Sequence, residues 1–245
     1  MRRVALVTGG SRGIGAATVH RLAQLGFDVA FTYRTAKTEA EAVAREAEAL
    51  GRRALPLPLD LEDLSRIKPT VDAVAEELGG LHVLVNNAGY VQRVPPESLS
   101  LEDWERMIRV GLTAPFLFIQ AAVPHMKKAG WGRIVNVSSL RALTGSPHGA
   151  HYAAAKAGLL GLTKSFALAL APYGITVNAV CPGFVDTDIN REQLRTRGQE
   201  ILSQIPLGRV AQPEEVAALI AFLCTDEAGY ITGATLSING GLRMD

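Results

Sequence analysis

Short apolar runs alternate with longer runs of helical periodicity along the whole chain. The strand-like runs cover residues 4–7, 29–33, 54–59, 83–85, 134–137, 175–180 and 235–238, and the helical runs cover residues 14–25, 36–50, 64–78, 101–128, 150–171 and 214–224. Strands that are apolar throughout and separated by helices belong to parallel sheets covered on both faces. The pattern therefore predicts an α/β fold with three layers, in which a seven-stranded parallel sheet lies between helices.

No repeat, low-complexity tract or linker divides the 245 residues, so the whole chain, 1–245, is predicted to be a single domain. With 48% hydrophobic and 20% charged residues, the composition is that of a well-packed globular chain. The 25 basic and 24 acidic residues give a net charge of +1, which indicates neither nucleic acid nor an anionic membrane as a partner.

Sequence features that mark other compartments are absent from the pattern. Two cysteines, Cys181 and Cys224, make neither a disulfide framework nor a zinc site and favour a reducing environment. The apolar run after the basic start is too short for a signal peptide, and no uninterrupted apolar run approaches the ~20 residues of a membrane span. We expect a cytoplasmic protein that needs no metal.

A glycine cluster follows the first predicted strand and opens the first predicted helix. Its spacing is Thr8-Gly9-x-x-x-Gly13-x-Gly15, with Ser11, Arg12 and Ile14 between the glycines. Such a turn places backbone N–H groups and a helix N-terminus where a pyrophosphate can sit. The alternative is an ordinary tight turn, but its position favours a Rossmann-type nucleotide site.

Two arginines lie where the ribose end of a dinucleotide would be recognised. The second predicted strand ends at Tyr33-Arg34 without a carboxylate, and Arg12 lies inside the glycine turn. A carboxylate there would take a ribose 2′-hydroxyl, whereas arginine accommodates a 2′-phosphate. The pair favours NADP(H) over NAD(H), with two solvated surface charges as the alternative.

Tyr152 and Lys156 are four residues apart at the start of an apolar helical run, so their side chains share one helix face. A neighbouring ammonium stabilises phenolate, and we expect it to lower the pKa of Tyr152 below about 10. Such a phenol can act as a proton donor. An isolated pair of this kind is also common on a plain amphipathic helix with a solvated lysine.

Together these motifs identify a resemblance to the short-chain dehydrogenases/reductases. The further matching motifs are Asp60-Leu61, Asn86-Asn87-Ala88-Gly89, Ser138-Ser139, Pro182-Gly183, Ile231-Thr232-Gly233 and Asn239-Gly240-Gly241. Within that family the chain looks most like the 3-oxoacyl-[acyl-carrier-protein] reductase branch, through residues 152–158 and 226–233.

The resemblance implies roles for individual residues. Tyr152 would protonate a carbonyl oxygen, Lys156 would hold the nicotinamide ribose, and Ser139 would hydrogen-bond the substrate, with Ser138 the less favoured serine. The cofactor contacts are then Gly9, Ser11, Arg12, Gly13, Ile14 and Gly15 in the glycine turn, Arg34 at the end of the second strand, Asp60 and Leu61 at the adenine, Asn87 on the sugar side with Ala88 next to it, and Tyr152, Lys156, Pro182, Gly183 and Val185 near the nicotinamide.

Three features depart from the family pattern or resist interpretation. Gly111 stands where the family usually has an asparagine that supports a proton relay to the lysine, and we expect a water or a backbone carbonyl of a kinked helix to replace that amide. Lys127, Lys128 and Arg133 are the candidate basic residues for an acidic carrier protein. Residues 186–206 are predicted to form a mobile lid that selects the substrate.

The predicted function is NADP(H)-dependent reduction of a ketone to a secondary alcohol. The leading candidate substrate is a 3-oxoacyl thioester linked to coenzyme A or to an acyl carrier protein. The alternatives are another ketone, such as a sugar, polyol, steroid or xenobiotic, and a dinucleotide-binding scaffold or regulator with weak activity. The resemblance also implies a homotetramer, paired through apolar helices around residues 112–123 and 159–170.

Overall fold

Seven parallel strands form one sheet in the computed structural model, which describes residues 2–244. The strand order is β3-β2-β1-β4-β5-β6-β7. The chain therefore starts near the centre of the sheet, adds β2 and β3 on one side of β1, and then adds β4 to β7 on the other side. The strands are β1 Val4–Val7, β2 Asp28–Tyr33, β3 Ala54–Pro58, β4 Val83–Asn86, β5 Gly132–Val137, β6 Ile175–Pro182 and β7 Thr235–Ile238.

Helices connect the strands and cover both faces of the sheet. They are α1 Gly13–Gln24, α2 Lys37–Ala49, α3 Ile67–Leu78, α4 Leu101–Ile108, α5 Ala114–Ala129, α6 Arg141–Thr144, α7 Ala150–Leu170, α8 Asp188–Gln204 and α9 Pro213–Leu223. One core includes side chains from α1, α2 and α9, and the other includes side chains from α3, α5 and α7. The predicted fold class is therefore confirmed.

Burial explains why the strands could be recognised. All residues of β1, β4, β5 and β6 are buried, because each of these strands lies inside the sheet with helices on both sides. The edge strands β3 and β7 are only partly buried. A ligand site is expected where the strand order reverses, at the carboxyl ends of β1 and β4.

Two predicted elements differ from the structure. The predicted helix 101–128 is α4 and α5 joined by a π-helical segment, Arg109–Thr113, which contains Gly111. The predicted lid, residues 186–206, is largely helix α8, for which the sequence pattern predicted no helix, and this helix bends at Arg197 (φ −130°, ψ 22°). Helix α8 carries an acidic residue in its first turn, and ion pairs three residues apart follow along it, for example between Arg197 and Glu200.

Two stretches, Leu101–Ala129 and Ala150–Tyr173, are long and apolar enough to span a membrane by length and composition alone. Both pack along the sheet, and their most apolar windows are 50% and 33% buried within the chain. Packing against the sheet accounts for one apolar face of each stretch.

Candidate active site

The glycine turn is held to the neighbouring strand ends by a network centred on Thr8. Its hydroxyl accepts hydrogen bonds from the backbone N–H groups of Asn87 (3.0 Å) and Ala88 (2.9 Å). The amide of Asn87 donates back to the carbonyls of Thr8 (2.9 Å) and Gly9 (3.1 Å). Asn87, predicted at the cofactor's sugar side, therefore fixes the turn. No role is predicted for Thr8 from the sequence, although Thr8 belongs to the glycine motif and directly precedes Gly9.

The backbone of the turn requires glycine at specific positions. Gly9 and Gly13 have φ values of +68° and +54°, and a Cβ on Gly15 would lie 2.0 Å from the carbonyl oxygen of Gly9. Ser11 is buried, and Ile14 packs against the α1–α2–α9 core. Helix α1 has no side-chain cap at Arg12, so its first N–H groups remain for an anionic ligand. This cradle fits the pyrophosphate of a dinucleotide.

The two predicted phosphate-binding arginines lie at the same edge of the sheet. The N–H of Gly10 donates to the carbonyl of Thr32 (2.9 Å), which joins the turn to the end of β2, where Arg34 is exposed. Arg12 Nη1 donates to the Asp188 carboxylate at the start of α8 (3.3 Å). A bound 2′-phosphate would compete with that carboxylate for Arg12.

The remaining predicted adenine contacts follow β3. Asp60 is exposed, and its carboxylate accepts a hydrogen bond from the N–H of Glu62 (3.0 Å), whereas the side chain of Leu61 is buried in the core. Strand β3 lies beside β2, so both residues are at the same edge of the sheet as Arg34. Because the side chain of Leu61 lies in the core, only its backbone can contact an adenine at this edge.

Tyr152, Ser139 and Lys156 are brought together at the carboxyl end of β5. The Tyr152 phenol lies beside Ser139, two residues after this strand end, and the Ser139 hydroxyl favours its phenolate form. Lys156 is buried on the next turn of α7, and its Nζ donates to the carbonyl of Val137 (2.7 Å), 5.9 Å from the centre of the Tyr152 ring. A Cβ on Gly89 would be 3.8 Å from the same Nζ, so the β4 loop adjoins the lysine.

The expected direction of the Tyr152 pKa is wrong for this structure. Burial raises the pKa of Tyr152 above 10, outweighing the hydrogen bond from Ser139 and the positive charges of Arg141 and Arg93, which lower it. Lys156 is itself desolvated, and burial lowers its pKa to about 8. Because its ammonium is bonded to the Val137 carbonyl, it holds the strand end rather than the phenol.

The two adjacent serines have different surroundings. Ser138 is buried, and its hydroxyl donates to the backbone carbonyl of Lys156 (2.8 Å), which ties β5 to α7. Ser139 accepts from the N–H of Arg141 (3.1 Å) and faces the phenol of Tyr152. Ser139 is therefore the serine placed for a ligand, the one that the family resemblance favours. Cys181 is fully buried, and burial raises the pKa of its thiol, which fits packing.

The predicted nicotinamide contacts lie at the end of β6. Pro182 is the last strand residue, and a Cβ on Gly183 would lie 2.9 Å from the Cα of Asn239, so close packing of the chain end requires glycine there. The side chain of Val185 is buried in the core. Next along the chain, Thr187 contacts Gly13, since a Cβ on Gly13 would meet the Thr187 methyl at 3.2 Å. Helix α8 thus begins against the glycine turn.

Gly111 lies buried where the helix widens. The N–H of Ala114 donates to the carbonyl of Arg109, five residues back, so the helix follows π geometry there. A Cβ on Gly111 would be 3.1 Å from the Cβ of Ala155, the residue before Lys156. Glycine therefore lets this segment approach α7 next to the lysine. That a carbonyl here replaces the family amide stays a prediction.

Arg133 does not belong to a docking surface. It is 4% exposed and donates to the carbonyls of Gly132, Gly174 and Thr225. It lies near the amino end of β5, whereas Tyr152 is at the carboxyl end. Lys127, over the ring of Tyr173, and Lys128 lie at the end of α5, just before this strand. The basic residues expected beside the active site thus lie at the amino ends of the strands, whereas the active site lies at their carboxyl ends.

A family model described as "Enoyl-(Acyl carrier protein) reductase" matches residues 9–243. Among curated proteins, the 3-oxoacyl-[acyl-carrier-protein] reductase FabG of Staphylococcus aureus is 41% identical over 244 residues, covering 100% of this chain and 99% of its own. FabG of Aquifex aeolicus is 42% identical over 241 residues, covering 98% of this chain and 97% of its own.

Solved structures give the same fold at full length. A blue fluorescent protein from a metagenomic library, in complex with NADPH, matches with a TM-score of 0.94 and 41% identity, covering 99% of this chain and 98% of its own. Acetoin dehydrogenase from Enterobacter cloacae matches with a TM-score of 0.92 and 38% identity, covering 99% and 96%.

These comparisons confirm the predicted reaction class, an oxidoreductase acting on CH–OH and C=O groups, and extend over nearly the whole chain. The chain belongs to the short-chain dehydrogenase/reductase family.

Proposed function

We propose that this protein reduces a ketone to a secondary alcohol with NADPH, and that a 3-oxoacyl thioester is its leading substrate. The observation that carries the proposal is the meeting of Ser139 with the Tyr152 phenol, whose pKa this hydroxyl lowers, one helical turn from Lys156. The names of the relatives, 3-oxoacyl-[acyl-carrier-protein] reductases, support the thioester.

The side chains divide the work around a substrate carbonyl. Ser139 and Tyr152 both donate hydrogen bonds to the carbonyl oxygen, and Tyr152 then gives its proton to that oxygen as the alkoxide forms. Bound NADPH supplies the hydride. Lys156 would hold the ribose hydroxyls of the bound cofactor, with its ammonium one helical turn from the phenolate that remains. Bulk solvent finally returns a proton to Tyr152.

The preference for NADP(H) is part of the proposal. Arg34 is exposed at the end of β2, and Arg12 lies in the glycine turn, so both can reach a phosphate on the adenine ribose. A structural neighbour with 41% identity is described in complex with NADPH. The cradle residues Gly9, Gly13 and Gly15 take the pyrophosphate, and Pro182, Gly183 and Val185 flank the nicotinamide.

The test is NADPH consumption with acetoacetyl thioesters and a panel of neutral ketones, for the wild type and Tyr152→Phe. We expect turnover that Tyr152→Phe reduces at least about 100-fold, because the general acid is removed. Tyr230→Phe, at a fully exposed tyrosine, is the matched control. Nucleotide binding without turnover of any carbonyl would favour the scaffold alternative, and turnover surviving in Tyr152→Phe would refute the assigned acid.

We also propose a homotetramer in the cytoplasm. Leu168 on α7 is 82% exposed, and Phe116 on α5 stays 37% exposed while its ring lies 6.2 Å from that of Phe166. Such an apolar face fits a second copy of the chain. Light scattering should show a smaller species for Leu168→Glu but not for Leu50→Glu, at the exposed leucine that directly follows α2. An acyl carrier protein stays a predicted partner.

A further inference from the structure

An arginine with no partner stands beside the proposed carbonyl site. Arg141 is the first residue of α6, two positions after Ser139, and its N–H donates to the Ser139 hydroxyl (3.1 Å). Its side chain is half-buried, yet within residues 2–244 its guanidinium makes no ion pair and no side-chain hydrogen bond. A half-buried guanidinium without an acceptor is placed to receive one from a ligand.

A second arginine reaches the same mouth from another loop. Arg93 follows β4, and its Nη2 donates to the amide oxygen of Gln193 on α8 (2.6 Å). The N–H of Val94 donates to the carbonyl of His148 (3.0 Å), which ties this loop to the segment just before Tyr152. Arg93 is exposed, and no carboxylate of the described chain pairs with it.

Within residues 2–244, neither arginine of the mouth forms an ion pair with a carboxylate. Both Arg141 and Arg93 act on Tyr152, where their positive charges favour phenolate. Asp103 also lies near this loop, but its carboxylate accepts a hydrogen bond from Gln92 rather than pairing with either arginine. On α8 the pattern is different: Arg191, Arg195 and Arg197 are each paired with a carboxylate of their own helix. Unlike these arginines of α8, Arg141 and Arg93 form no ion pair within the described residues.

We propose that Arg141 and Arg93 bind a carboxylate carried by the ketone substrate within a few bonds of the reacting carbonyl. The inference rests on the proposed ketone reduction and narrows its substrate. Among 3-oxoacyl compounds, a carboxylate near the ketone is found in a free 3-oxo acid or in a thioester whose acyl chain ends in a carboxylate. Guanidinium suits the task because its paired donors match a carboxylate, and Arg141 adjoins the serine that holds the carbonyl.

The matched probes are acetoacetate and methyl acetoacetate, which share the ketone but differ in charge. We expect the wild type to favour acetoacetate in kcat/KM, and the ratio to fall about ten- to hundredfold in Arg141→Gln and in Arg93→Gln. Arg195→Gln, at an exposed and paired arginine of α8, should keep the wild-type ratio. A ratio unchanged in both mouth variants would overturn the proposal.

A second pair of probes identifies the source of the negative charge. Acetoacetyl-CoA and the acetoacetyl thioester of N-acetylcysteamine differ in the phosphates of coenzyme A but share the acyl group. If Arg141→Gln changes the ratio for this pair and not for acetoacetate and its ester, the arginines bind phosphate and the proposal is wrong. 3-Oxoglutaryl N-acetylcysteamine, with a terminal carboxylate, should behave like acetoacetate if a dicarboxylic thioester is the source.

Calorimetry separates failure of this inference from failure of the proposed reaction. We expect acetoacetate to bind the wild-type complex with NADP⁺ and to bind the Arg141→Gln complex at least about tenfold more weakly. Arginine-dependent binding without turnover would refute the ketone reduction and support the carboxylate site. Turnover of neutral ketones, together with acetoacetate binding that Arg141→Gln and Arg93→Gln both retain, would support the ketone reduction and refute the carboxylate site.

Discussion

Replacement of Gly15 by alanine tests the idea that the turn between β1 and α1 is built for a pyrophosphate. A Cβ at this position would lie 2.0 Å from the carbonyl oxygen of Gly9 and 2.7 Å from the amide nitrogen of Asn87, where ordinary contact is 3.4–4 Å. The atoms therefore have to separate by more than about 1 Å. The two groups that move are bonded to each other (3.1 Å), so the methyl breaks the link that fixes the turn.

We expect Gly15→Ala to lower the free energy of unfolding by about 1–3 kcal/mol, the usual cost of overpacking, and to weaken NADPH binding at least tenfold. Fluorescence titration with NADPH and urea unfolding measure the two effects. Gly198→Ala is the control, since a Cβ at Gly198 on α8 meets nothing within 4 Å; it should bind NADPH normally and gain up to about 1 kcal/mol in stability. Binding by Gly15→Ala within threefold of the wild type would refute the reasoning.

Three further predictions concern charged groups. Burial lowers the pKa of Lys156 from 10.5 to about 8 in the folded chain, so between these values the unfolded chain binds more protons than the folded one. The free energy of unfolding of the wild type relative to Lys156→Met should therefore rise with pH, by roughly 2.5 kcal/mol between pH 7 and 10 in urea unfolding, and a constant difference would contradict this. Asp188→Asn frees Arg12 and should tighten NADPH up to about fivefold in titrations while leaving NADH unchanged, with Asp186→Asn as the control; equal effects on both nucleotides would exclude the competition. Arg133→Met leaves three backbone carbonyls without their donor and should cost about 3 kcal/mol in urea unfolding, and a cost below about 1 kcal/mol would show that water replaces the guanidinium.

The sheet and the meeting of the motifs could be predicted because burial leaves a direct record in the sequence. Strand β6 is buried at all eight positions and appears as an apolar run, as does β5 beside it. The carboxyl ends of parallel strands share an edge, so the glycine turn after β1, Ser139 after β5 and Pro182 at the end of β6 had to lie near one another. Four-residue spacing put Tyr152 and Lys156 on one face of α7.

The remainder depended on contacts between distant segments. Helix α8 has few apolar positions, only Ile201 being buried, so its stripe was too weak to recognise. Arg133 has the same sequence signature as a surface charge, and only the carbonyls of Gly174 and Thr225 show that it is buried. No periodicity foretells that Thr8 joins two strand ends, or that Asp188 meets Arg12.

The pKa of Tyr152 shows how these contacts change the chemistry. A pair of residues on one helix face suggests a phenol acidified by its lysine, but Lys156 Nζ is bonded to Val137 and is itself poorly solvated. Burial keeps Tyr152 protonated at neutral pH, which is the form that a carbonyl reductase needs before hydride transfer. The phenolate that follows is opposed by the same burial, so the charges around it matter most after the proton has left. Arg141 and Arg93 favour that phenolate when no anion neutralises them, and a substrate carboxylate bound between them would weaken their effect. The proposed carboxylate site therefore predicts that substrate charge and proton return to Tyr152 are coupled through the same two guanidiniums.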